Sequence, residues 1–231
     1  MIKINLILDQ FIPPILRDAY WFMLLPMKLC FSEKYQIAMT FQEKLPFMNS
    51  AEYLTCYEEM APYSFSKKGD LNKECTKMIL RNLVGDSVLD VGCGSGFLMD
   101  AISKQKPNIN IIGMDVLISD SLHTEENDKL KYISGNAEEI PLPDKSADTV
   151  ICTHVLEHVI DLQKAISELR RVAKKRIIIV VPSQRPYRYI FSLHLRFFPY
   201  VHSFLLEMMP MPEGHLFCEK IGGDIYYQED V

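Results

Sequence analysis

The run Ser87-Val88-Leu89-Asp90-Val91-Gly92-Cys93-Gly94-Ser95-Gly96-Phe97 restricts the fold of this chain more than any other stretch. Its apolar start predicts a short buried strand, and three glycines at alternate positions predict a tight turn that feeds a helix near Gly96. Without side chains at those positions a ligand can come close to the backbone, and the free N–H groups of the helix point at the same spot. Asp90 puts a carboxylate at the carboxyl end of the strand. A pyrophosphate would be repelled there, so the pairing favours a ligand that carries positive charge.

Beyond Gly96 the chain keeps an alternating strand and helix rhythm. Phe97 to Gln105 reads as a helix stopped by Lys106-Pro107-Asn108, because proline cannot continue it. Asn110 to Asp115 is a second strand, and Asp115 lies 25 residues beyond Asp90. That is close to the roughly 20-residue offset at which a Rossmann-type unit sets an acid on ribose hydroxyls. Lys131 to Ser134, Asp148 to Cys152 and Ile177 to Val181 supply three more strands, with a helix over Asp161 to Ala173 before the last. Phe217 to Ile221, Gly222-Gly223 and Asp224 to Gln228 read as a closing hairpin.

Asp-x-Gly-x-Gly-x-Gly after Val-Leu resembles the first motif of the class I S-adenosylmethionine-dependent methyltransferases, in the small-molecule branch that includes the ubiquinone and menaquinone enzymes. The resemblance covers Asp86 to Pro182. It implies a three-layer α/β/α Rossmann-like sandwich, with a mainly parallel seven-stranded sheet that ends in an antiparallel hairpin. It also implies S-adenosylmethionine as cofactor, with Asp90, Gly92, Cys93 and Gly94 at its methionine end and Asp115 with Val116 at the ribose. Gly135-Asn136-Ala137-Glu138-Glu139-Ile140-Pro141 resembles the family's Gly-Asp-Ala-x-x-Leu-Pro, so Asn136 and Ala137 fall at the adenine. Asn136 stands where the family has an acid, yet its amide oxygen can still accept a hydrogen bond. Thr153 falls beside the methionine. Lys174-Lys175-Arg176 replaces the family's Lys-Pro-Gly-Gly, which predicts a different turn before the fifth strand.

Thr153 to Val159 matches the family's stretch after the fourth strand and carries the two candidate catalytic bases, His154 and His158. His194 and Tyr63 are comparable candidates from less regular segments. His154-Val-Leu-Glu157-His158 also spells an inverted zinc signature. Zinc would need both histidines on one helical face, whereas His154 sits at a strand exit, so no metal is assigned.

The two ends are less regular. Residues 1–84 read as a helical N-terminal extension or cap and residues 85–231 as the methyltransferase domain. Tyr53, Tyr57 and Tyr63, within Glu52 to Phe65, either fold over the cofactor as a lid or pack the extension onto the core. In Arg185 to Met209 the residues Tyr187, Ile190, Phe191, Leu195 and Phe198 recur every three or four, so a helix would align them in one stripe between Pro186 and Pro199. That stripe fits a small-molecule or lipid-like acceptor and a peripheral membrane contact, or plain packing against the sheet. A net charge of -5 gives no electrostatic reason for a nucleic-acid partner. Six scattered cysteines and a start interrupted by Lys3, Asp9, Arg17 and Asp18 favour a reducing, cytoplasmic setting. The rival function is a non-catalytic binding or scaffold protein on the same fold.

Overall fold

The structure, a computed structural model, describes residues 7–9, 11–63, 71–118 and 129–231; Lys3 and Phe65 fall outside the described residues. After a single helical turn (Pro14–Arg17) come helices α1 (Tyr20–Phe31), α2 (Tyr35–Lys44) and α3 (Ser50–Met60), then α4 (Lys73–Asn82), which leads into strand β1 (Ser87–Val91). After β1 come α5 (Phe97–Gln105), β2 (Asn110–Asp115), β3 (Leu130–Ser134), β4 (Ala147–Thr153), α6 (Leu162–Val172) and β5 (Ala173–Pro182). Helix α7 (Val201–Glu207) and the hairpin β6 (Leu216–Ile221) and β7 (Asp224–Asp230) complete the order.

The seven strands form one sheet in the order β3-β2-β1-β4-β5-β7-β6. β1 to β5 run parallel, and β7 is antiparallel to both of its neighbours. The order reverses between β1 and β4, and in open α/β sheets ligands bind at such a switch point, outside the carboxyl ends of the strands. Leu162, Ala165, Ile166, Leu169 and Val172 of α6 are all buried. They pack on the face that carries Leu89, Val150, Ile177 and Ile179. Burial of each large member contributes about 1.5–3 kcal/mol. The Asp161 carboxylate caps this helix by accepting from the Lys164 amide. The opposite face, with Val88, Ile111, Ile151 and Ile178, is covered by Cys75 and Ile79 of α4 and by Leu98, Met99 and Ile102 of α5. Sandwich layering therefore follows from the sequence period of each helix.

A further core lies to one side. Met23, Met27 and Phe31 of α1, Ala38, Met39 and Phe41 of α2 and Tyr53 of α3 pack with Tyr187, Tyr189, Ile190, Phe191 and Leu193. The Gln42 side-chain amide donates to the His194 carbonyl at 2.9 Å, and Arg188 pairs with Glu43. No described helix is long and apolar enough to cross a membrane.

Two expectations are corrected by the fold. Residues 184–200 form no helix; the regular helix of this region is α7, beyond Pro199. Tyr189, Ile190 and Phe191 are buried consecutively, which a one-sided helical stripe cannot do. The segment is instead wedged between the N-terminal helices and the sandwich. Nor does a turn precede the fifth strand: Ala173 ends α6 and begins β5. Lys174 and Lys175 occupy a bulge where the β4–β5 register shifts between Ala147 and Thr149, and Lys175 pairs with Asp148 at 2.9 Å.

Candidate functional site

Beyond the carboxyl ends of β1, β2 and β4 lies a cavity of about 230 Å³. Gly92, Gly94, Asp115, Val116, Asn136, Ala137, His154 and His158 line it. The glycine turn builds its near wall. Gly92 has φ 76°, and a Cβ there would lie 2.0 Å from Val155 Cγ2, so only glycine lets the turn pack on the loop after β4. At Gly94, φ 52°, a Cβ would meet nothing within 4 Å: the turn is open to the cavity at that point.

Asp115, the last residue of β2, holds this turn. Its Oδ2 accepts from the Gly94 amide at 2.8 Å and its Oδ1 from the Leu117 amide at 3.1 Å. A carboxylate accepts about four hydrogen bonds, which leaves roughly two for a vicinal diol. Asn136 lines the cavity, but its Oδ1 accepts from the Glu138 amide at 2.9 Å in a local turn.

Three residues expected at the site are set back from it. Asp90 lies inside β1, 1% exposed, with Oδ1 buried and unpartnered. Burial, and secondarily the Asp115 charge, push its carboxyl up to about 7. The Cys93 thiol packs over Gly113 beside Met99. Thr153, half-buried at the end of β4, pairs in register with Val180 of β5. A buried carboxyl with one oxygen unpartnered, beneath a glycine turn that is open above, fits a cationic nucleoside ligand. The residues present are thus compatible with S-adenosylmethionine.

The two histidines have different surroundings. His154 has φ 55° and donates its amide to the Val180 carbonyl at 2.8 Å. Its ring lies between two buried carboxylates, with Nδ1 3.6 Å from Glu157 and Nε2 3.6 Å from Asp224. Asp224 in turn accepts from the Asn72 amide group at 2.6 Å. His158 Nδ1 lies 3.0 Å from the Leu193 carbonyl and 3.3 Å from the Tyr53 hydroxyl. A carbonyl only accepts, so this contact assigns the Nδ1 hydrogen and leaves the lone pair on Nε2. The His194 ring packs edge-on against His158, centroids 4.9 Å apart. Burial, with His158 and His154 nearby, holds His194 well below the usual imidazole range.

The far wall comes from α3 and from the loop after β4: Tyr53, Leu54 and Tyr57 face Val159 and Ile160. Burial, followed by Asp115 and Glu157, pushes the Tyr57 hydroxyl up to about 12, so this wall is neutral at physiological pH. Leu54 and Ile160 are wall residues that no motif in the sequence marks. Leu54 had a signal, since positions 53, 54 and 57 share one helical face. Tyr63 packs in the side core, edge-on against Phe31, and does not line the cavity.

Sheet order, switch-point cavity and glycine turn together define a Rossmann-like nucleotide-binding sandwich of the methyltransferase type. Residues 89–181 match the family model described as a methyltransferase domain, and over this part the chain is similar to class I S-adenosylmethionine-dependent methyltransferases. A ubiquinone biosynthesis O-methyltransferase of Rickettsia bellii is 35% identical over 99 residues, covering 40% of either chain. An ajmaline N-methyltransferase of Rauvolfia serpentina is 34% identical over 103 residues, covering 42% of this chain and 35% of the relative. The chain thus spans about two fifths or less of the length of these curated relatives. A methyltransferase structure from Aquifex aeolicus has the same fold, with TM-score 0.52 and 19% identity over 67% of this chain and 89% of that one.

Proposed function

We propose that this protein transfers a methyl group from S-adenosylmethionine to a small acceptor with an apolar body. The observation that carries the reading is Asp115, bonded to the Gly94 amide at the mouth of the switch-point cavity with acceptor capacity to spare. In this assignment Asp115 and Val116 hold the ribose, Asn136 and Ala137 face the adenine, and Gly92 and Gly94 leave room for the methionine. Asp90 lies under that turn and offsets positive charge through a low-dielectric interior. The cofactor supplies a methyl group already activated on sulfur. The protein's own task is alignment of the acceptor and exclusion of water.

The acceptor lies against Tyr53, Leu54, Tyr57, Val159 and Ile160, an apolar and uncharged surface that suits aromatic or lipid-like bodies. Of the two candidate histidines, His158 is the one with a lone pair to offer; both ring nitrogens of His154 face carboxylates. The named relatives act on oxygen in one case and on nitrogen in the other, so the acceptor atom is left open. Incubation with methyl-labelled cofactor and cell extract, followed by identification of the labelled product, tests the proposal. No labelled product, together with no thermal stabilisation by S-adenosylhomocysteine, would overturn it.

A further inference from the structure

The acceptor end of the cavity holds a cluster that catalysis by alignment alone does not require. Glu157, His158 and His194 each bring one ligand-type atom, and these atoms all lie within 4.8 Å of one another. Glu157 is fully buried and His194 is 8% exposed, with its Nδ1 buried and unpartnered. His158 lines the cavity beside them. Two imidazoles and a carboxylate are a donor set for a divalent first-row metal ion.

A second observation points the same way. The Nδ1 hydrogen of His158 is held by the Leu193 carbonyl. Metal-bound histidines almost always donate their other ring hydrogen to a carbonyl or carboxylate, which fixes the tautomer and aims the remaining lone pair. Leu193 is the residue before His194, so one stretch of chain supplies both the third ligand and the support for the second. In the sequence, the zinc signature pairs His158 with His154; the fold turns His154 toward Asp224 and brings in His194 instead.

We propose that Glu157, His158 and His194 bind one divalent transition-metal ion at the acceptor end of the cavity. Ligands around zinc stand ~3.3 Å apart for Zn–N bonds near 2.1 Å, so side-chain rotations of at most ~1.5 Å close the cluster. Three protein ligands would leave a fourth coordination position, and His158 is the ligand that borders the cavity. If the methyltransferase reading holds, a hydroxyl of the acceptor would take that position, the ion would lower its pKa so that its proton is lost to solvent, and the resulting alkoxide or phenolate would accept the methyl group as the sulfonium becomes the thioether of S-adenosylhomocysteine. The His158 lone pair then serves as a ligand, and the ion does the acidifying.

The test uses the full chain, stripped with chelator and titrated with cobalt(II) and zinc(II). The expected result is one ion per chain by calorimetry, with visible cobalt absorption bands of a low-coordinate nitrogen and oxygen site. His194→Ala and Glu157→Gln should each weaken binding by more than about 100-fold, beyond the roughly 10- to 100-fold loss typical of an outer-shell change. His202→Ala, at an exposed histidine outside the cluster, should leave it unchanged. Thermal stabilisation by S-adenosylhomocysteine reports separately that the variants are folded and that the cofactor end is intact. Absence of binding to the wild-type chain, or equal binding by folded His194→Ala, overturns the metal site. Metal binding without any S-adenosylhomocysteine effect would instead count against the methyltransferase reading and leave the metal site standing.

Discussion

Asp115→Ala is the most informative single perturbation, because one side chain both anchors the glycine turn and faces the cavity. The substitution removes two hydrogen bonds to backbone amides, from Gly94 at 2.8 Å and Leu117 at 3.1 Å. Both amides are exposed and water can replace the carboxylate, so the fold should lose only about 1 kcal/mol. For a chain of this size that lowers Tm by roughly 2–4 °C. Cofactor binding should suffer more, since the ribose loses its charged acceptor. A hydrogen bond to a charged group contributes about 1.5–3 kcal/mol, or roughly 10- to 150-fold in Kd. Calorimetric titration with S-adenosylhomocysteine measures the loss directly, and denaturant unfolding of the free protein measures the structural part. Unchanged affinity in a folded Asp115→Ala protein would refute the ribose assignment. Equal losses in binding and stability would show that the carboxylate acts only on the turn.

Asp90 carries a pH prediction. Its folded-state pKa is raised from 3.8 to about 7, so the folded protein binds more protons than the unfolded chain between those values, and this group's cost to stability grows as pH rises through the window. A cationic ligand reverses the preference: affinity should rise with pH up to about 7 and level off above, with proton release on binding below it, and Asp90→Asn should abolish the dependence. Calorimetry in buffers of different ionisation enthalpy reads the released proton. Gly92→Ala drives a Cβ to 2.0 Å from Val155 Cγ2 at a positive φ, so it should destabilise by about 1–3 kcal/mol and abolish S-adenosylhomocysteine binding. Arg170→Met leaves Glu229, which is 1% exposed and held bidentately at 2.8 and 2.9 Å, without its counter-charge and with the Tyr227 hydroxyl as a remaining donor. Denaturant unfolding should show a loss of about 3–5 kcal/mol, with most of it recovered when Glu229→Gln is added.

The sandwich was legible because each element carried its own signal. The strand and glycine turn from Ser87 to Gly96, the cap at Asp161 and the Gly222-Gly223 hairpin are local patterns, and local chemistry decides them. The Lys174-Lys175-Arg176 departure was visible, but its outcome was not. Whether missing glycines give another turn or a bulge depends on the register against β4, which is a property of the partner strand. The 185–200 segment misled for a related reason. Its three- and four-residue spacing mimics a helix, yet burial there comes from two bodies at once, the N-terminal helices and the sandwich, and one chain's periodicity records neither. The meeting of His158 with His194 likewise left no trace in spacing, since 35 residues, including α6 and β5, lie between them.

The core shared by α1 to α3 with residues 187–193 bears on how such a protein can be taken apart. The acceptor wall from α3, the Leu193 carbonyl on His158 and the Gln42 bond to His194 all run through that core. A shortened protein beginning at α4 would keep every element of the sandwich. It would also leave Tyr187, Tyr189, Ile190 and Phe191 bare and the His158 tautomer unsupported. Under the proposed function, acceptor choice would be a two-part inheritance, with its two parts far apart in the sequence. An exchange of the N-terminal helices between related enzymes should transfer selectivity only when residues 184–200 travel with them.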